Sequence, residues 1–196
     1  TAWVLAGSKL NDGTNVTTAI YYIANAPSQS GSVAFAITSA KWTIHLVEYS
    51  GVETSSPLDQ TASKTSTIVS GGPDTLAQTG TAAAPSSSIM LAVGVMATGG
   101  SVTYGTPSDS YTAADIEASG GGPRNTRVTT LFAQKFYSTG TTGTTASIGS
   151  MTWAGAIATF KGVAGTRYWI GAGTGNFSDA TRWSTTSGGM NDSAAP

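Results

Sequence analysis

The sequence SIMLAVGVMA at residues 88–97 decides the fold class, because it is apolar at every position from Ile89 to Ala97. Both sets of alternating positions are apolar, which is typical of a strand that is covered on both faces. The run is shorter than the roughly 18–20 apolar residues of a membrane-spanning helix, so no membrane insertion is predicted. We expect residues 88–97 to form a central strand.

Shorter β-patterns surround this run. In residues 41–49, Trp42, Ile44 and Leu46 occupy one face of an alternating pattern, and this period of two predicts a strand. Turns rich in Gly and Pro separate such runs, and only residues 111–119 are expected to hold a helical turn. The pattern predicts an all-β fold, specifically an antiparallel β-sandwich or jelly roll. Further strands are predicted at residues 17–24, 32–38, 126–137 and 151–161, and weaker ones at residues 61–69, 101–104 and 142–148.

The character of the chain changes after residue 163. Residues 164–166 have the composition of a short linker, and four large aromatic side chains follow within a Gly-rich stretch. We therefore predict a β-sandwich over residues 1–163, and a linker with the start of a second, aromatic-rich β module over residues 164–196. This short β-rich extension carries Tyr168, Trp169, Phe177 and Trp183.

The charge composition excludes several classes of function. The chain has nine Lys and Arg residues and ten Asp and Glu residues, and only 10% of its residues are charged. Without a basic excess the chain cannot neutralise a phosphate backbone, so no nucleic acid is expected as a partner. There is no cysteine, which removes thiolate catalysis and Cys-ligated zinc. Because Ser and Thr take the place of surface Lys and Glu, the composition suits an extracellular or virion β-protein.

One spacing occurs twice. The pattern Trp-x3-Leu-x2-Tyr at residues 42–49 recurs as Trp-x3-Ile-x2-Phe at residues 153–160. Two core strands that converged on similar residues would produce this echo, and so would a duplicated half-domain. Either origin predicts that both tryptophans are buried. The predicted structural core residues are Trp42, Leu46, Tyr49, Trp153, Ile157 and Phe160.

Hydrolytic chemistry would have to use His45, the only histidine in the chain. A Ser-His-Asp arrangement would need Glu48 or a distant Asp to orient it, and no Gly-x-Ser-x-Gly motif supplies a nucleophile. We expect His45 to be a strand histidine that makes a hydrogen bond or faces solvent. The sequence therefore predicts no catalytic residue, no enzymatic activity and no cofactor.

Carboxylates cluster at one place only, in Asp109, Asp115 and Glu117. Calcium sites need several oxygen ligands, and these three side chains with Ser110 could offer some of them. The order of residues differs from the Asp-x-Asp-x-Asp-Gly pattern of an EF-hand. We expect a solvated loop without a metal ion, and a calcium site is the alternative.

Aromatic side chains near turns could provide a platform for sugar rings. Large aromatic residues are more often part of a core than of a platform. A sugar site is therefore the alternative, and a structural role is expected. The aromatic candidates are Trp3, Tyr21, Tyr22, Tyr104 and Tyr111.

Two stretches of the chain resemble repeats of known families. Residues 48–63, which contain EYSGV, SPLD and TAS, resemble a repetitive extracellular β-sandwich domain of tailed-phage virion proteins and bacterial surface proteins. Residues 153–161, which end in ATFK, are similar to the closing strand of that domain. Residues 168–183 resemble a second phage and bacterial repeat, YWxGGxGNWxDxxxW, with Phe177 in place of the middle Trp and Ala172 in place of a Gly.

The resemblance implies a non-enzymatic structural or decorating module of a phage particle, at the capsid surface, tail or fibre. It implies a location on the virion surface or outside the cell. Other virion or surface-protein subunits are the expected partners, with a homo-oligomer expected and a host glycan as a further candidate. The alternative is a bacterial cell-surface adhesin or carbohydrate-binding module. The family implies no catalytic residue.

The resemblance also implies where neighbouring chains would bind. The domain usually has further strands before the position of Trp3, so an exposed strand edge is expected near residues 3–6. Strand addition at such an edge is a recurrent mode of assembly. The expected assembly contacts are Trp3, Tyr168, Trp169, Phe177 and Trp183. The alternative is that further residues of a longer protein cover these places within the same chain.

Overall fold

The protein is all-β in the part that the structure, a computed structural model, describes. The described residues are 2–11, 16–26, 34–35, 41–66, 76–83, 90–119, 127–137, 140–163, 168–169 and 183–184. They contain no helix, and every strand pair is antiparallel. The strands are β1 Val4–Asn11, β2 Thr17–Tyr22, β3 Leu58–Thr65, β4 Leu76–Gln78, β5 Met90–Gly99, β6 Thr112–Ala118, β7 Val128–Tyr137, β8 Thr145–Ser147, β9 Trp153–Lys161, β10 Tyr168–Trp169 and β11 Trp183–Ser184.

The all-β prediction is confirmed, and a five-stranded sheet is the largest element. Its strand order is β3-β9-β5-β7-β6, so β5 occupies the middle as the apolar run at residues 88–97 predicts. Val93 of β5 pairs with Ala158 of β9 on one side and with Gln134 of β7 on the other. Buried side chains on both faces of β5 explain why its sequence is apolar at both sets of alternating positions.

One face of this sheet, called face A below, is covered by the hairpin β1–β2. Its core side chains are Leu91, Val93, Phe132, Ala158 and Phe160, and the hairpin packs Ala6, Ile20 and Tyr22 against them. The ring of Tyr22 meets Phe160 edge-on, with 5.4 Å between the ring centroids. Face A therefore buries the inner side of a separate two-stranded sheet.

The opposite face, called face B below, is covered by the β4–β8 pair and by residues 100–111. Met96, Leu131 and Trp153 lie on this face under Ala77 and Ala146 of the covering pair. The hydroxyl of Tyr104 donates to the carbonyl of Met96 at 2.9 Å, and burial raises the pKa of this phenol. The sheet is thus packed on both faces, while the two-sheet sandwich or jelly-roll topology remains a prediction.

Small residues let the covering layer approach face B very closely. A Cβ atom built on Gly155 of β9 would overlap the carbonyl of Gln78 in β4. One on Gly94 of β5 would come within 2.9 Å of the Thr79 methyl group. Close packing therefore requires glycine at these two positions. In the β9 sequence WAGAIATF, the residue that lies directly under another backbone has no side chain.

The prediction for residues 41–49 is wrong in two respects. They form no strand, and the side chains of Trp42 and Leu46 are 53% and 57% exposed, so they are not core residues. Thr43 and His45 face the sheet instead, because they find hydrogen-bond partners on it. Tyr49 is half-buried and packs against face A.

The second occurrence of the repeated spacing, at residues 153–160, lies in a core strand as predicted. The side chains of Trp153, Ile157 and Phe160 are buried in β9, with Trp153 only 1% exposed. The two halves of the echo therefore occupy different environments, one inside the domain and one at its surface. The shared spacing does not predict shared burial.

Other expectations are only partly met. The helical turn at residues 111–119 is wrong, because β6 occupies this stretch, and residues 101–104 form no strand. Residues 32–38 lie outside the described residues except for Ala34 and Phe35. The strands β1 and β4 were not predicted. In β1 the register shifts between Ala6 and Leu10, which hides its alternation.

The chain divides into two compact units, Thr1–Gly162 and Val163–Pro196. In the second unit β10 pairs with β11, with Trp169 opposite Trp183, and Phe177 lies outside the described residues. Within the described part of the chain, no helix has the length and hydropathy to span a membrane.

Candidate binding surface

Residues 41–49, called the covering segment below, lie on the part of face A that β7 contributes. The side chains of Thr43, His45 and Tyr49 reach the sheet. Those of Trp42, Leu46 and Val47 are exposed. An exposed tryptophan and leucine in one short segment are unusual, because burying each would contribute about 1.5–3 kcal/mol. The outer side of the covering segment is therefore a candidate binding surface.

The imidazole of His45 is the main anchor of this segment. Its Nδ1 lies 3.0 Å from Oδ2 of Asp115 in β6, and its Nε2 lies 2.6 Å from Oγ1 of Thr130 in β7. The ring stacks on Phe132, with 5.7 Å between the centroids and 22° between the planes. Only 6% of the His45 side chain is exposed. Both ring nitrogens are thus satisfied beneath the segment.

Two further hydrogen bonds hold the covering segment at either side of His45. The hydroxyls of Thr43 and Thr130 are 2.9 Å apart. The hydroxyl of Tyr49 donates to the side-chain carbonyl of Gln134, and burial raises the pKa of this phenol. Because Thr130, Phe132 and Gln134 alternate along β7, the segment is anchored at three successive positions of one strand.

The order Asp115, His45, Thr130 is that of a hydrolytic triad with threonine in place of serine. Sequence reasoning allowed for a distant Asp as the orienting group, and Asp115 takes that position, while Glu48 is exposed. Thr130, however, is only 6% exposed in the middle of β7, and its hydroxyl also meets Thr43. A nucleophile needs space for a substrate carbonyl and for oxyanion donors. The arrangement suits anchoring rather than hydrolysis.

A second group of exposed aromatic residues lies at the hairpin. Trp3 and Tyr21 are exposed, and the Trp3 ring contacts the exposed Phe35 ring at 6.2 Å between centroids. In β1 and β2, Leu5 pairs with Tyr21, so these two side chains point away from face A. The hairpin and the covering segment overlie the same face of the sheet and both present apolar side chains outward.

The other sequence candidates are not brought together. Tyr104 and Tyr111 are buried, and Tyr22 packs on Phe160, so these three rings offer no sugar platform. The carboxylates Asp109, Asp115 and Glu117 do not converge, and the described residues contain no group of three His, Asp or Glu side chains that could hold a metal ion.

Sequence reasoning missed the outward orientation of Trp42 and Leu46. No local signal indicates this orientation, because the polar side chains of Thr43 and His45 would be satisfied equally well by solvent. In comparisons with protein-family models, curated proteins and solved structures, nothing matches the chain. What this protein does is therefore inferred from its own residues.

Proposed function

We propose that this chain is a non-enzymatic structural or decorating module of a phage particle, which acts through assembly contacts. One observation carries the part of the proposal that concerns assembly: Trp42, Leu46 and Val47 are exposed on a segment that hydrogen bonds hold in place. The phage particle is proposed from the resemblance of the sequence alone. Contiguous exposed apolar groups on a stable domain mark surfaces that bind other proteins. Trp is also among the residues that most often dominate interface energies.

The charge of the chain supports self-association. Its formal net charge is −1 and only 10% of its residues are charged, so copies repel one another weakly. The resemblance of residues 48–63 and 168–183 to repeats of virion and bacterial surface proteins favours the same partners. We propose further copies of this chain and other virion subunits as partners, at a virion surface or outside the cell.

Strand edges provide a second mode of contact within this proposal. In the described part of the chain β1 pairs with β2 alone, and Trp3 and Val4 at its start are exposed. A neighbouring chain could add a strand here, since an open edge presents unpaired backbone groups. The aromatic residues of the second unit are proposed as further contacts, namely Tyr168, Trp169, Phe177 and Trp183.

The substitutions Trp42→Ser and Leu46→Ser test the proposal. Losing a buried interface anchor costs about 2 kcal/mol or more, so we expect each to weaken self-association roughly 30-fold in sedimentation velocity. Ile116→Ser is the matched control, because Ile116 is an exposed apolar residue of β6 that pairs with Leu131 and so lies on face B, opposite to the covering segment. An equal effect of all three substitutions, or no effect of the first two, contradicts the proposal.

A second candidate function is a bacterial adhesin or carbohydrate-binding module. The observation that favours it is the exposure of the Trp3 and Tyr21 rings, which could stack on sugars. Binding to a glycan array by a protein that remains monomeric would support this candidate over assembly.

We also predict that the chain has no hydrolytic activity and that His45→Ala preserves self-association. Thr43 and Tyr49 still anchor the covering segment in this variant. Two hydrogen bonds are lost, so the free energy of unfolding should fall by about 1–3 kcal/mol. Assays with ester, peptide and glycoside substrates check the first point. Hydrolytic activity that is present in the wild type and absent in a folded His45→Ala protein would contradict this prediction and support a catalytic role for Asp115, His45 and Thr130.

A further inference from the structure

A polar groove opens on face B, on the side of the sheet opposite to the covering segment. Its volume is about 540 Å³, within the range of clefts that bind small ligands. It lies between β3, the stretch that follows β4, and the loop that precedes β8. The residues that carry its chemistry are Lys64, Gln78, Asp109, Lys135, Thr141 and Thr145.

The lining of the groove is rich in hydrogen-bonding groups and carries two cations. The Nζ atom of Lys64 donates to Oε1 of Gln78 at 2.8 Å. The Nζ atom of Lys135 lies 5.6 Å from the centroid of the Tyr111 ring, a cation–π distance. Among the described residues of the lining, Asp109 is the only acidic one, so this part of the groove has a net positive charge.

The loop that presents Asp109 is held rigidly. The backbone N–H of Ser108 donates to the carbonyl of Thr145 at 2.9 Å, and the N–H of Thr145 donates back to the Ser108 hydroxyl at 3.0 Å. Asp109 and Ser110 both have left-handed backbones, with φ of 56° and 61°. They are the two central residues of a β-turn that the N–H of Tyr111 closes on the carbonyl of Ser108 at 3.2 Å, and positive φ at both central residues is typical of such a turn.

The wall of the groove is equally fixed. A Cβ atom on Gly143 would overlap the carbonyl of Gly80, so the two backbones can meet only because this residue is glycine. The hydroxyls of Tyr111 and Thr142 are 2.7 Å apart beneath the lining. A site that is formed before binding loses little conformational entropy when a ligand enters.

We propose that this groove binds an acidic saccharide. The ammonium groups of Lys64 and Lys135 would attract its carboxylate, while Asp109, Gln78 and the threonine hydroxyls would bond to its ring hydroxyls. The lining residues that the structure describes include no aromatic ring, so they offer no stacking surface of the kind that usually binds neutral sugars. The two cations therefore favour an anionic sugar over a neutral one.

Isothermal titration calorimetry at low ionic strength tests the proposal with two matched pairs of probes. Trigalacturonate is compared with its methyl ester, and 3′-sialyllactose with lactose. We expect at least one acidic probe to bind and its neutral counterpart to bind roughly tenfold more weakly, because charge-assisted hydrogen bonds are lost. If neither acidic probe binds, or if acid and neutral forms bind equally, the proposal is overturned.

Substitutions separate this site from the assembly surface. Lys64→Ala and Lys135→Ala should each weaken binding of the acidic probe roughly tenfold, with self-association unchanged. Lys9→Ala is the control, because Lys9 is an exposed lysine of β1 outside the groove. Trp42→Ser should leave saccharide binding intact. Equal effects of the three lysine substitutions would mean that only the overall charge attracts the probe. That result would contradict the proposal that the saccharide binds in the groove.

Discussion

Trp153→Ala should lower the free energy of unfolding by about 3–5 kcal/mol, whereas Trp42→Ala should change it by less than about 0.5 kcal/mol. The two residues hold the same place in the repeated spacing, but Trp153 is 1% exposed and Trp42 is 53% exposed. Trp153 fills face B between Met96 and Ile148. Alanine there leaves a cavity that this tightly packed layer cannot close.

Equilibrium denaturation of both variants measures this difference. A stability of about 5–15 kcal/mol is usual for a domain, so the loss of Trp153 removes a large share of it. Trp42→Ala is an internal control for the removal of an indole group. Equal destabilisation by the two substitutions would place Trp42 in the core and would contradict its exposure in the structure.

Gly155→Ala should lower the free energy of unfolding by about 1–3 kcal/mol or more, although it adds only one methyl group. The new Cβ would overlap the Gln78 carbonyl, and main-chain atoms cannot rotate away as a side chain can. The β4–β8 pair would have to lift from face B, which loosens the packing over Met96 and Leu131.

Gly149→Ala is the matched control for this substitution. No atom lies within 4 Å of a Cβ built on Gly149, so its stability should stay within about 0.5 kcal/mol of the wild type. Thermal and denaturant unfolding of the two variants compare the effects directly. A Gly155→Ala protein as stable as the wild type would mean that the covering layer lies farther from the sheet.

The sequence predicts β2, β5, β7 and β9, and its signal is clearest for β5 and β9, which are buried on both faces. β5 and β9 are apolar or small at nearly every position, and no other environment suits such runs. The edge strand β6 was missed because every one of its side chains is exposed. Its sequence TAADIEA lacks alternation, and its Ala and Glu residues favour helix. Pairing with β7, which local sequence does not encode, decides its conformation.

The candidate surfaces depend on contacts that the sequence alone does not reveal. Which side chains of residues 41–49 face the sheet depends on Thr130 and Asp115, which lie 85 and 70 residues away from His45. Burial of an indole is ordinarily more favourable than burial of a hydroxyl or an imidazole, so Trp42 rather than Thr43 or His45 would be expected to face the sheet. The groove also joins residues from distant parts of the chain, so no local motif marks it.

The central claim, that this module acts by assembly through its exposed apolar residues, is tested most directly by the molar mass of the intact chain in solution. Size-exclusion chromatography with light scattering should be run from low to tens of micromolar. We predict a mass that rises above one chain with concentration, and that returns toward one chain in the Trp42→Ser, Leu46→Ser double variant. A wild-type protein that has the mass of a single chain over the whole concentration range would contradict the claim.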